Sequence, residues 1–289
     1  MIFKNNIDDE FNVIGLFDGL SAGQLALNRA GIKYNKYLAS EINKPAISVC
    51  MANYPNTIQL GDIKNLKTDN LPYCKLLMGG SPCQDISNLS ATKEGLKGDK
   101  SSLFYEYLRI YKEMKPKYFL LENVKGNKEA ILTISKLMGC RPIRLNSSLV
   151  SAQTRNRLYW TNIPVTTIPK DKRIYLKDIL LHNVDEKYFL SGGRLEWLNG
   201  ASGQRSRLKR FVGIDTLKAG CLTRRSEASW NTTYITDKGR VRKLTPVEYE
   251  RLQNIPDNYT IAAKEKDRYE MIGNSWTIDI ISHILKHIK

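Results

Sequence analysis

The chain has 289 residues, 42% of them hydrophobic, which is enough to bury a full α/β core and leave material for a second, smaller domain. Lys and Arg number 45 against 29 Asp and Glu, and a net charge of +16 favours a polyanionic partner. Asp8, Asp9, Glu10 and Asp18 interrupt any leader pattern, and no stretch approaches the roughly 18 apolar residues of a membrane span, so a soluble, cytoplasmic protein is expected.

In chain order, NVIGLF (12–17) reads as a strand and AGQLALNRAG (22–31) as a helix closed by Gly31. KYLASE (36–41) follows as a second strand, and KPAISVCMANY (44–54) as a helix with Pro45 in its first turn. CKLLMGG (74–80) is a third strand, SSLFYEYLRIYKEM (101–114) a helix capped by Ser101 or Ser102, KYFLLENV (117–124) a fourth strand, and NKEAILTISKLMG (127–139) another helix. This alternation predicts an α/β fold with a doubly wound, mostly parallel sheet, whose ligands sit at the C-terminal ends of the strands.

After about residue 165 the rhythm breaks. Pro164 and Pro169 bracket a connector, and residues 166–243, with Gly192-Gly193, Gly200, Gly203, Gly213 and Gly220, read as turns and short strands. This segment holds 17 Lys and Arg against 8 Asp and Glu, a net +9 of the total +16, and QRSRLKR (204–210) is its densest part. Charge so concentrated favours nucleic-acid contact over a solvated face. The expected domains are 1–165 with 259–289, and 166–258.

The five cysteines, at 50, 74, 83, 140 and 221, are odd in number and form no C-x-x-C pair, which argues against a disulfide framework and a structural zinc site. The three histidines are His182, His283 and His287; the last two read as cations near a helix C-terminus, so no metal is expected. Their scarcity also removes Ser-His-Asp and Cys-His catalysis as easy explanations for any reactive cysteine.

FDGLSAG (17–23) joins the first strand to the first helix, where glycines let backbone amides approach a ligand. Glu41, 22 residues past Gly19, is placed to accept from ribose hydroxyls. Nicotinamide dinucleotides and S-adenosylmethionine both fit. Asp62, after IQL, is either an acceptor for an adenine amino group or a helix cap. In GGSPCQDIS (79–87) Cys83 follows Pro82, and in LLENV Glu122 ends a strand at the same sheet edge. A thiolate and a carboxyl facing one site suit an aromatic electrophile that is protonated as it is attacked. A buried Glu122 needs partners or a raised pKa and a task. In QTRNRLYW (153–160) Arg155 and Arg157 would share one face of an extended strand, either holding a carbonyl or phosphate or forming an ion-paired edge.

Six segments, LFDGLSAGQLAL, GGSPCQDIS, LLENV, QTRNRLYW, RKLTPVEYERLQNIPDNY and MIGNSW, in this order, resemble the cytosine-C5 DNA methyltransferase family in its compact bacterial or phage form. The resemblance covers about 13–165 and 240–282. LFDGLSAG, GGSPC, CLTRRS and SWTIDIISHIL are also similar to the eukaryotic de novo DNA methyltransferases.

The resemblance implies an S-adenosylmethionine-dependent enzyme acting on double-stranded DNA. Cys83 would attack C6 of a flipped cytosine, Glu122 would serve ring N3, and Arg157, with Arg155, would hold the O2 carbonyl. The C5 carbon then takes the methyl group, and elimination frees the thiol. Cofactor residues implied are Phe17, Asp18, Gly19, Ser21, Gly23, Glu41, Ile42, Asp62, Ile63, Gly80, Pro82, Leu103, Asn274 and Trp276. Substrate residues implied are Ser81, Gln84, Asn123, and Arg224 or Arg225 in CLTRRSEASWN. The loop from Gln84 to Lys100 is expected to act as a lid. Ser21 and Ala22 stand where bacterial enzymes carry a glycine pair, and their β-carbons are expected to weaken cofactor binding. A prokaryotic or phage origin within restriction-modification, and a monomer, are expected. The alternatives are an RNA (tRNA) cytosine-5 methyltransferase, a catalytically silent DNA-binding relative, and a nicotinamide-dependent oxidoreductase; the last leaves Cys83 and Glu122 without a role.

Overall fold

The computed structural model describes residues 10–81, 103–209 and 212–289. Two compact units emerge: one of residues 1–145, 156–168 and 282–289, the other of 146–155 and 169–281. These divisions fall at different places from the 165/166 and 258/259 boundaries drawn from composition, since 146–155 and 259–281 group with the second unit.

The first unit is an α/β layer structure. Its strands are β1 (Val13–Leu16), β2 (Tyr37–Ser40), β3 (Ile58–Gln59), β4 (Leu76–Gly80), β5 (Tyr118–Asn123), β6 (Ile143–Asn146) and β7 (Asn156–Thr161), in the spatial order β3-β2-β1-β4-β5-β7-β6. β1 pairs in parallel with β2 and β4, and β4 in parallel with β5, whereas β7 runs antiparallel to β5. The sheet is thus mostly parallel, as expected. β1, β2 and β5 are buried along their whole length, the condition under which strands read as unbroken apolar runs.

Between the strands lie α1 (Ala22–Ala30), α2 (Lys44–Asn53), α3 (Leu103–Met114) and α4 (Lys128–Met138). Gly31 closes α1 in the left-handed conformation and Pro45 lies in the first turn of α2, whose cap Asn43 accepts from the Ala46 amide. Asn127 caps α4 in the same way. Both Ser101 and Ser102, the expected caps of α3, lie outside the described residues. The core runs from Ile14 and Leu16 through Leu77, Phe104 and Tyr107 to Leu121 and Trp160.

The second unit carries α5 (Gly192–Asn199), α6 (Ala201–Leu208), a sheet of β8 (Gly213–Ile214), β9 (Thr233–Asp237) and β10 (Arg240–Lys243), and then α7 (Pro246–Leu252) and α8 (Glu265–Asn274). α9 (Ile278–Leu285) runs across the boundary between the units. The expectation of only turns and short strands in 166–243 is corrected here by α5 and α6. Intrinsic propensity is poor across GGRLEWLNGASGQRSRL, but Gly203 lets the two helices meet: a β-carbon there would strike the Trp197 and Leu198 carbonyls. The β9–β10 hairpin turns on Lys238 and Gly239, both at positive φ, the geometry that suits strand twist. A small core of Leu190, Leu198, Val212 and Tyr234 holds this unit.

Candidate active site and recognition loop

In an open parallel sheet the site opens where strand order reverses. Here that point is β1, which has β2 on one side and β4 on the other. Leu16 lies in register with Gly79, and Gly80 with Glu122, so FDGLSAG, GGS and the end of LLENV emerge side by side. Gly79 keeps this tight, since a β-carbon there would stand 3.0 Å from the Leu16 carbonyl.

Three left-handed residues shape the β1–α1 turn: Phe17 (φ 55°), Gly19 (φ 59°) and Ser21 (φ 67°). Alternating hand turns backbone amides inward and forms an anion-accepting concavity. The turn is tied to β2 by Glu41, whose carboxylate accepts from the Gly19 amide at 2.8 Å and from the Ile42 and Asn43 amides at 2.8 Å each. Ile42 beside it is exposed, and Phe17 packs on the edge of the core.

Ser21 is fully buried and its hydroxyl accepts from the Gln24 side chain at 2.8 Å, while Ala22 is also buried. Gly23 serves packing: a β-carbon there would meet the Tyr37 hydroxyl and the Met78 methyl, and Gly15 faces the same hydroxyl. Tyr37 donates to Asp18 Oδ1 at 2.5 Å. Asp18 Oδ2 is buried without a partner among the described residues. Burial raises its pKa to about 6; hydrogen bonds from Tyr37 and Ser21 oppose that, and Glu41 adds to it. Sequence reading missed Tyr37, because no spacing signals a strand residue that reaches under a turn.

Asp62 caps a short 3₁₀ turn, accepting from the Lys64 amide at 3.0 Å, and Ile63 is buried in the core. Leu103 packs against that core from α3.

At the end of β5, Glu122 Oε1 accepts from Arg157 Nε at 3.0 Å. The pair arises because β7 is antiparallel: Tyr159 lies opposite Glu122, and Arg157, two residues away, reaches it diagonally on the same face. Burial of Glu122 is thereby compensated by a partner. Next to it Asn123 donates to the Ser81 hydroxyl at 3.1 Å and accepts from the Val124 amide at 2.7 Å, pinning the first residue of the SPC segment. Pro82, Cys83, Gln84 and the expected lid from Gln84 to Lys100 lie outside the described residues.

Arg155 does not share this face. It precedes β7, belongs to the second unit, and is 4% exposed. Its guanidinium donates to the Leu222 carbonyl at 2.6 Å, the Gly273 carbonyl at 3.3 Å and the Ser275 carbonyl at 2.9 Å. The expected pairing of Arg155 with Arg157 is corrected: these donors are directed at main chain. Arg155 thus fastens both ends of the turn that holds Asn274, which is exposed, and Trp276, which is half-buried. Gln153 adds to this hub, accepting from the Leu222 amide at 2.8 Å. Arg224 ion-pairs with Glu270 at 3.1 Å, and Arg225 is exposed.

The sequence profile of the C-5 cytosine-specific DNA methylase family matches residues 11–132 and 145–289. The chain belongs to this family. It is a DNA (cytosine-5) methyltransferase, and membership implies a methyl donor and a DNA substrate. It is 28% identical to the type II methyltransferase M1.ScrFI of Lactococcus lactis subsp. cremoris over 309 residues, which cover 98% of this chain and 79% of that protein. The orphan methyltransferase M.Rho11sI of Bacillus phage rho11s is 38% identical over 119 residues, 40% of this chain and 24% of that protein. Among solved structures, a methyltransferase of Entamoeba histolytica, EhMeth, superposes with a TM-score of 0.78 at 18% identity, covering 96% of this chain and 98% of that one. A Spodoptera frugiperda DNMT2 structure gives 0.73 at 22% identity, covering 96% and 99%. These likenesses extend to the fold. Among the described residues no helix is long and apolar enough to cross a membrane.

Proposed function

We propose that the chain transfers a methyl group from S-adenosylmethionine to C5 of cytosine in double-stranded DNA, with Cys83 as nucleophile and Glu122 and Arg157 acting on the ring. The observation that carries this reading is the Glu122–Arg157 pair, set beside the strand end from which Ser81, Pro82 and Cys83 continue.

Support for the methyl donor comes from the β1–α1 turn: left-handed backbone at Phe17 and Gly19, the Asp18 Oδ2 that has no partner among the described residues, and the exposed Ile42 beside the anchored Glu41. Together with Asp62 and Gly80 these residues would hold S-adenosylmethionine, and Leu103, Asn274 and Trp276 are further candidates. When bound, it supplies an electrophilic methyl group.

The chain's own residues do the rest. Addition of the Cys83 thiolate to C6 pushes electron density onto the ring. Glu122 holds a proton at N3 and Arg157 donates to O2, so developing charge is met where it forms, and C5 becomes nucleophilic. Loss of the C5 proton and departure of the thiolate restore the aromatic ring. Because C6 is shielded in a duplex, the base must leave the stack at a cost of a few kcal/mol. The second unit, with its basic excess, would read the target, and the first would carry the chemistry.

The test is transfer of labelled methyl to unmethylated duplex DNA by wild type and Cys83→Ser, followed by sequencing of converted cytosines. Incorporation at cytosine that the substitution abolishes is expected. Label in transfer RNA and none in DNA would overturn the substrate, and an active Cys83→Ser would overturn the nucleophile.

A further inference from the structure

Residues 272–278 carry the chain from the end of α8 into α9. Ile272, Gly273, Ser275, Thr277 and Ile278 are buried, whereas Asn274 is exposed and Trp276 half-buried. The stretch thus presents two side chains from a backbone that is otherwise turned inward.

One residue from outside organises it. Gln253, which follows α7, donates through Nε2 to the Ile272 carbonyl at 3.1 Å and the Ser275 carbonyl at 3.2 Å, and its Oε1 accepts from the Thr277 hydroxyl at 2.7 Å. Its main-chain carbonyl accepts from the Ile278 amide at 2.9 Å. Four of the five buried residues are therefore bonded to Gln253, and the fifth, Gly273, gives its carbonyl to Arg155. The Thr277 hydroxyl also accepts from Ser147 at 2.8 Å, and Gln253 Oε1 takes a further bond from Gln153 at 3.2 Å.

Both amide hydrogens and the oxygen of Gln253 are in use, so its amide cannot turn without breaking them all. Such bonds replace bonds to water and add little net stability, but a fully satisfied buried network admits one arrangement. Gln253 is 0% exposed, so it can touch neither a methyl donor nor DNA.

We propose that Gln253 is a positioning residue for the methyl donor, holding residues 272–278 in the arrangement that presents Asn274 and Trp276 to it. The inference rests on the reading of those two residues as donor-binding. Its effect is confined to the donor, because the segment that starts at Leu222 is held by other bonds: Gln153 accepts from the Leu222 amide at 2.8 Å and donates to the Leu252 carbonyl at 3.0 Å, and Arg155 donates to the Leu222 carbonyl. Loss of the Gln253 side chain also strands little. The Ser275 carbonyl keeps Arg155 at 2.9 Å, and the Ile272 carbonyl keeps the Ser275 amide at 3.1 Å. A folded protein with a less ordered turn is the consequence.

The test is titration of S-adenosylmethionine and, separately, of a pooled duplex of randomised sequence into wild type, Gln253→Met, Thr277→Val, Asn274→Ala and Trp276→Ala, each also followed by thermal melting. Gln253→Met is expected to raise the donor Kd about 10-fold, the worth of bonds lost from a preorganised turn, and to leave the duplex Kd within about twofold. In turnover the donor KM should rise with the donor Kd while kcat falls much less. Thr277→Val removes a single bond to Gln253 and should raise the donor Kd about threefold; it decides the matter should Gln253→Met fail to fold. Donor affinity kept in Gln253→Met and Thr277→Val but lost in Asn274→Ala and Trp276→Ala overturns the proposal alone. Donor and duplex affinities that fall together mark a general loosening of the unit and overturn it as well. Donor affinity unchanged in both Asn274→Ala and Trp276→Ala, or absent in wild type, overturns it together with the reading beneath it.

Discussion

Glu122–Arg157 in the first unit and Glu248–Arg242 in the second join the same two chemical groups in different ways. Glu248 and Arg242 meet in a fork, 2.8 Å on both prongs, with side-chain exposures of 0% and 1%. Glu248 also accepts from the Thr245 amide at 2.7 Å and the Leu181 amide at 2.9 Å, and Arg242 donates to Asp237 at 3.1 Å. Nothing in that cluster is left to bind with. Glu122 meets Arg157 through Oε1 and Nε at 3.0 Å, and both side chains keep access to solvent, with exposures of 11% and 12%. A closed pair fixes a fold, and an open pair keeps valence for a substrate. The second unit, with its small apolar core, relies on closed pairs; Glu250, buried and bonded to Thr260 and Arg268, is another.

The difference can be broken from either side. The largest effect is expected at the open pair: Glu122→Gln should lower the methyl-transfer rate by about 10²- to 10⁴-fold while the urea midpoint moves little. A large loss of stability with little loss of rate would reverse the assignment. At the closed pair, Arg242→Met leaves the buried Glu248 carboxylate without its opposite charge, and the second unit should lose about 3–5 kcal/mol in urea unfolding. Transfer below the new midpoint should persist, measured as rate per folded molecule.

A smaller effect separates the units by pH. Asp18 in the folded first unit holds its proton up to about pH 6, against 3.8 for the free group. Between those values the folded state binds more protons than the unfolded state, so ionisation removes stability as pH rises, and the loss is constant above about 6. Asp18→Asn should therefore gain on wild type across that window and level off at about 2–3 kcal/mol by pH 7, a difference seen by comparing unfolding at pH 4 and pH 7. A constant difference across pH would remove the carboxyl as its cause. The smallest effect is expected at Arg240, paired with Glu186 on an open surface. There Arg240→Ala should leave the unfolding midpoint unchanged, because solvent and salt screen such pairs.

Much of the first unit was legible because parallel strands buried on both faces are written as apolar runs between helix caps. VIGL, YLAS and YFLLEN each announce themselves, and the Gly80–Glu122 neighbourhood follows once the strands are ordered. β3 escaped because two residues carry no period. α5 and α6 escaped because glycines at 192, 193, 200 and 203 argue locally for turns; Gly200 does separate the two helices, but Gly192, Gly193 and Gly203 lie within them. Arg155 and Arg157 were read as a pair because a strand was extended one residue too far; β7 begins at Asn156. Arg224 and Arg225 are indistinguishable by spacing, and only Glu270, 46 residues away, separates them.

Tyr37 also constrains how this sequence can drift. Its hydroxyl fills the space a β-carbon would need at both Gly15 and Gly23 while it bonds Asp18, so three positions from two strands and a helix form one heritable unit. A side chain gained at 23 has to be matched by a shorter residue at 37, which would strand Asp18, and one gained at 15 would strike the Asp18 carboxylate as well as the Tyr37 hydroxyl. Relatives are therefore expected to change these positions together: an alanine at 23 should be tolerated only after Tyr37 has been shortened, and one at 15 only after both Tyr37 and Asp18 have given way.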